Sequence, residues 1–129
     1  MKLRVLVIDG MQISADRLAE SLSEHGYASD AVYSGDDAIR VINAWNPDII
    51  LLDDTILHME GKAKSIEILE MANCPIILMT PYMQSNLVPA FIENGGRGCV
   101  MKACTTGQRL MEMISRVISS DRNTPIFVY

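Results

Sequence analysis

An α/β fold built on a doubly wound, five-stranded parallel sheet follows from three properties of the 129-residue sequence. Short apolar runs recur along it, segments with helical spacing separate them, and the two kinds of segment alternate strictly. Strands joined through intervening helices run parallel with right-handed crossovers, so helices cover both faces of the sheet.

The first run, LRVLVI at 3–8, is too short for a helix and lacks polar alternation, so it reads as a strand buried on both faces. A helix follows over 14–25, where Leu18 and Leu22 stand four apart and Gly26 is the stop signal. ASDAVY at 28–33 is a more polar strand and suits a sheet edge. Ser34 and Asp37 stand at a capping-box-like offset before GDDAIRVINAW, and Asn46-Pro47 ends that helix. DIILL at 48–52, PIILM at 75–79 and GCVM at 98–101 are three further buried strands. Helices over 62–72, 84–94 (closed by Gly95-Gly96) and 106–119 complete the alternation.

One domain therefore spans 1–120, and 121–129 is a linker or tail. In that tail Asp121 to Pro125 reads as a helix stop, and IFVY is a strand-like segment leading either into a further domain or onto an exposed sheet edge.

A chain of this length buries roughly two-thirds of the surface its unfolded form exposes, enough for one core without staples. With 49% hydrophobic and 21% charged residues, the composition is that of an ordinary globular protein. Eleven basic residues against sixteen acidic ones give a net charge of −5, and the basic positions are scattered, which argues against direct nucleic-acid binding. Cys74, Cys99 and Cys104 are odd in number and lack CxxC spacing, so neither a disulfide framework nor a zinc site is expected. They fit thiols kept reduced in a cytoplasm. The opening MKLRVLVIDG has only a four-residue apolar run before Asp9, too short for a secretion signal or a membrane span.

Ligands of an open parallel α/β sheet bind beyond the carboxyl ends of its strands. The residues just past those ends are Asp9-Gly10, Asp53-Asp54-Thr55, Thr80-Pro81-Tyr82 and Lys102-Ala103. One carboxylate there can act as a nucleophile and a second can help hold Mg2+, while a hydroxyl and an ammonium bind the oxygens of a transferred phosphoryl group.

Over residues 3 to about 119 this pattern resembles the receiver domain of bacterial two-component response regulators. The family pattern has an acidic pair after the first strand, a phosphoacceptor aspartate after the third, Thr or Ser after the fourth and Lys-Pro after the fifth. A glycine stands eight positions past the acceptor. Gly61 is eight beyond Asp53 and seven beyond Asp54, so Asp53 is the matched acceptor. Asp54 is read as a solvated loop acid whose side chain leaves the other way.

The resemblance implies a flavodoxin-like sheet of order 2-1-3-4-5 and phosphoryl transfer to Asp53 from a phosphohistidine on a sensor histidine kinase. It implies Mg2+ held by Asp9, Asp53 and the backbone carbonyl of Thr55, with Lys102 paired to the acyl phosphate and Thr80 hydrogen-bonded to it. No metabolic enzyme is implied, only self-phosphorylation and slow hydrolysis, in a cytoplasmic protein that signals through protein contacts. A homodimer through the 83–118 face is a further expectation, because Leu110, Met111, Ile114, Val117 and Ile118 form an amphipathic stripe.

The sequence departs from the family pattern at several positions. Gly10 replaces the second acid, which weakens Mg2+ binding by on the order of 1 to 3 kcal/mol. Cys99 stands where the family has a switch aromatic, and Tyr82 is a candidate substitute. Ala103 follows Lys102 in place of proline, so no cis peptide is expected there. Leu57 and His58 replace Pro-Gly in the loop after the acceptor, and His58 is expected to be a solvated loop residue.

These departures set up an alternative: a pseudo-receiver, in which the same fold serves as an interaction module with weakened or no phosphorylation. A haloacid-dehalogenase-type phosphatase fails, because it needs a second aspartate two residues after the first and position 55 is threonine. A flavin carrier fails because GMQIS, after the first strand, is not a Ser/Thr/Gly-rich phosphate cradle.

Overall fold

The computed structural model describes residues 2–129. Its core is a six-stranded parallel sheet of order β2-β1-β3-β4-β5-β6. The strands are β1 (Arg4–Ile8), β2 (Ala28–Val32), β3 (Ile49–Asp53), β4 (Ile76–Thr80), β5 (Gly98–Met101) and β6 (Ile126–Val128). The helices are α1 (Gln12–Glu24), α2 (Gly35–Trp45), α3 (Asp54–Glu60), α4 (Lys62–Met71), α5 (Leu87–Glu93) and α6 (Gly107–Ser119).

Because successive strand side chains alternate between faces, the buried runs supply two separate cores. Val5, Val7, Ile49, Leu51, Ile77, Met79 and Val100 face Ala15 and Leu22 of α1 and Leu110, Met113, Ile114 and Val117 of α6. Leu6, Ile8, Ile50, Leu52, Ile76, Leu78 and Cys99 face α2, α3, α4 and α5 through Ala38, Ile42, Ile56, Ile68, Val88 and Phe91. The stripe on α6 is therefore mostly core, with Ile118 left 41% exposed.

Local signals explain where elements begin and end. Ser34 caps α2 by accepting the Asp37 N–H at 3.2 Å, and Asn46 closes that helix in the left-handed region, with Pro47 blocking continuation. Past α1, Gly26 takes φ +94°, a conformation that a side chain would strain. α5 is shorter than the predicted 84–94, and Pro89, which has no N–H to donate, fits within its first turn.

Two elements go beyond the predicted set. α3 occupies the stretch expected as a loop: without the Pro-Gly breaker, Leu57 and His58 continue a helix that ends only at Gly61, φ +86°. β6 is a sixth strand, parallel to β5, so the five-stranded sheet gains an edge and the tail adds to it. Gly98 permits this pairing, because a Cβ there would lie 2.0 Å from the Ile126 carbonyl oxygen. Among the described residues no helix is long and apolar enough to cross a membrane.

Candidate functional site

β1, β3, β4 and β5 all point their carboxyl ends the same way, and this brings Asp9, Asp53, Thr80 and Lys102 to one edge of the sheet. Asp53 is the last residue of β3 and also the N-cap of α3, with φ −77° and ψ 143°. Its Oδ2 accepts the Thr55 N–H at 3.0 Å. Asp53 is completely buried and Asp9 is 1% exposed. Two sequestered carboxylates need a compensating cation.

Lys102 supplies it. Its Nζ lies 2.6 Å from Asp53 Oδ1 and 3.5 Å from Asp9 Oδ2. Burial alone would lower the pKa of this ammonium, but the Asp53 and Asp9 carboxylates outweigh that and hold it above the ordinary lysine value. The lysine remains charged. In the absence of a following proline, its backbone is held by a 3-10 turn over Lys102–Cys104, where the Thr105 hydroxyl donates to the Lys102 carbonyl at 2.7 Å.

The other Asp9 oxygen accepts the Met11 N–H at 2.9 Å and the Thr55 hydroxyl at 3.3 Å, while that hydroxyl accepts the Gly10 N–H at 3.1 Å. Thr55 thus reaches the site through its side chain. Its backbone carbonyl, expected as a cation ligand, belongs to the first turn of α3. Asp53 Oδ1 stands apart, because it accepts no aligned hydrogen bond although the ammonium is close.

Asp54 is not the solvated loop acid that the sequence suggested. It is 9% exposed, and its Oδ2 accepts the Thr80 hydroxyl at 3.1 Å. Burial foremost, then the neighbouring charge of Asp53, pushes its carboxyl up from the usual range. The strand register anticipates the contact: Asp53 pairs with Met79, so one step further along 54 meets Thr80. Sequence spacing alone carried no register, and this residue was missed.

His58 rides on α3 with its ring 65% exposed and Nε2 4.0 Å from Asp54 Oδ2. It is solvated as expected, but on a helix. Tyr82 is 73% exposed and does not fill the space beside Cys99, which is buried; Met83 packs against that cluster instead. Burial pushes the Cys99 thiol up to about 12. Above Gly10, the Met59 thioether takes the room a side chain would need: a Cβ there would sit 2.6 Å from its Sδ.

Among known proteins, the model of the response regulator receiver domain matches residues 5–115. The chain belongs to the response regulator receiver domain family. Solved structures share its fold. A two-component response regulator from Clostridium difficile is 22% identical, with TM-score 0.77 over 95% of this chain and 100% of that one. A LuxR-family response regulator from an Aurantimonas species is 21% identical, with TM-score 0.77 over 92% of this chain and 86% of that one. A response regulator from Burkholderia pseudomallei, solved with a phosphorylated aspartic acid, a calcium ion and citrate, is 20% identical, with TM-score 0.76 over 94% of this chain and 69% of that one.

Proposed function

We propose that this receiver domain takes a phosphoryl group on Asp53 from a sensor histidine kinase and signals through protein contacts in the cytoplasm. The observation that carries this reading is the convergence of Asp9, Asp53 and Lys102, with Lys102 Nζ 2.6 Å from the Asp53 oxygen that lacks an aligned hydrogen bond. Oδ2 is engaged by the Thr55 N–H, so Oδ1, which faces the Lys102 ammonium, is the oxygen that attacks phosphorus. The new O–P bond forms as the bond to the donor histidine nitrogen breaks, and that nitrogen leaves with the electron pair. Lys102 then faces the transferred group's charge, and Thr80, once released from Asp54, donates its hydroxyl to it.

The donor set fits a Mg2+ ion: Asp9 and Asp53 would hold it through hard carboxylate oxygens, with water completing the octahedron. Such an ion supplies charge neutralisation between the acceptor and the incoming phosphoryl oxygens. Gly10 adds no second acid after β1, so Asp9 and Asp53 would be the carboxylates that hold the ion. The Burkholderia structure, with its phosphorylated aspartic acid and a divalent ion, supports this reading of the fold.

Two observations favour the pseudo-receiver as the second reading. Gly10 offers no second acid, and Lys102 already spans both carboxylates. Labelling with acetyl phosphate separates the two. Mg2+-dependent incorporation that disappears in Asp53→Asn supports phosphoacceptor chemistry, whereas no incorporation leaves the interaction module. A homodimer over 83–118 would use the flanks of α5 and α6, because β6 covers the β5 edge between them.

A further inference from the structure

At the other end of the sheet, under the amino ends of β4 and β5, lies a cleft of about 500 Å³. Asn73, Cys74, Arg97, Ser120 and Arg122 line it, with Pro75, Val117 and Ile118 as its apolar wall. It shares no residue with the acceptor site.

Arg97 is 7% exposed, a burial that a guanidinium rarely tolerates without a counter-charge. Its Nη2 donates to Ser120 Oγ, and its buried Nε has no acceptor. Arg122 is exposed at the rim. Among the described residues, neither guanidinium has a carboxylate within 4.0 Å. Asp48, behind Cys74, is engaged by the Arg4 N–H at 2.8 Å. The ends of α4, α5 and α6 face this side and offset part of the positive charge. They supply no anionic oxygen to the fork. Arginine cannot escape by losing its proton, so a buried, half-partnered guanidinium in a chain of net charge −5 lacks an anion.

We propose that this cleft binds a small phosphate monoester, its head between Arg97 and Arg122 and its apolar body against Pro75, Val117 and Ile118. A guanidinium fork matches the tetrahedral oxygens of phosphate. The volume lies within the range of about 300 to 1,000 Å³ typical of small-molecule sites, far more than inorganic phosphate alone fills. The Cys74 thiol, pushed by burial up to about 12, stays neutral and does not compete for the cations. Ser120 and Arg122 belong to the segment joining α6 to β6, so an occupant would also fasten the sixth strand.

The test is titration of the full 15N-labelled chain with 1-naphthyl phosphate, 1-naphthoate and inorganic phosphate in separate arms, following side-chain Nε–H resonances. The expected result is a saturable shift of Arg97 and Arg122 with the monoester, in the range of about 0.1 to 1 mM. Naphthoate binds more weakly, and inorganic phosphate weaker still. Arg122→Glu, at an exposed position, is expected to weaken monoester binding at least about tenfold, and Arg97→Met to abolish it. The proposal is overturned by the absence of any saturable shift with the monoester, or by binding that Arg122→Glu leaves unchanged. Naphthoate binding as tightly as the monoester overturns the phosphate assignment. If Arg97→Met does not fold, Arg122→Glu decides alone.

Discussion

Asp54→Ala is expected to tighten the binding of a phosphoryl mimic at Asp53. The Thr80 hydroxyl has one proton and two acceptors within reach, Asp54 Oδ2 at 3.1 Å and the Tyr82 carbonyl at 3.3 Å. To serve a phosphoryl group, that proton must leave Asp54. A hydrogen bond to a charged group nets about 1.5 to 3 kcal/mol. The Asp54 side chain is 13% exposed, so water recovers part of the loss when Thr80 turns away. About 1 to 2 kcal/mol remains, which is roughly a 5- to 30-fold gain in affinity once the competing acceptor is removed. Calorimetric titration with beryllofluoride and Mg2+ measures it. Removing the acid also removes a negative charge, so the same substitution is made in Thr80→Ala. If the gain runs through the hydroxyl, it vanishes in that background. A gain of equal size in both backgrounds, or no gain in a variant that melts normally, would refute the reasoning.

Gly10→Asp with Met59→Ala is expected to strengthen Mg2+ binding by about 1 to 3 kcal/mol in a metal titration, the contribution of one added carboxylate near a surface ion. Gly10→Asp alone gains less, because the new Cβ lies 2.6 Å from Met59 Sδ. Gly98→Ala is expected to dislodge β6, since its Cβ would meet the Ile126 backbone; loss of amide protection over 126–128, with a cost of about 1 to 3 kcal/mol in urea unfolding, is the signature. Cys74 and Cys99, raised from 9.0 to about 12, are expected to alkylate at pH 8 about a thousandfold more slowly in the folded chain than in urea. Their folded values lie above the unfolded ones, so the stability linked to neutral thiols is intact below pH 9.0 and is lost as pH climbs toward 12.

Much of the fold was legible because the buried strands carry unbroken apolar runs and the helices carry their own stops at Gly26, Asn46-Pro47 and Gly95. α3 was not, since its helical character depends on the absence of a breaker at Leu57-His58, and the family pattern suggested a loop. β6 was left open because its three residues pair only where Gly98 lets the backbone approach, a tertiary condition. At the site, strand ends pointed to Asp9, the Asp53-Asp54 pair, Thr80 and Lys102, and the family spacing to Gly61 singled out Asp53. The roles of Asp54 and Met59 were hidden, because both arise from contacts between elements far apart in the chain.

That Asp53 caps α3 ties chemistry to shape. Whatever turns the carboxylate so that Oδ2 leaves the Thr55 N–H, a bound cation or a group joined to Oδ1, unfastens the opening turn of the adjoining helix, and His58 and Met59 are carried along with it. A message written at a sealed oxygen would thus surface a few ångströms away as rearranged imidazole and thioether, where another protein can feel it.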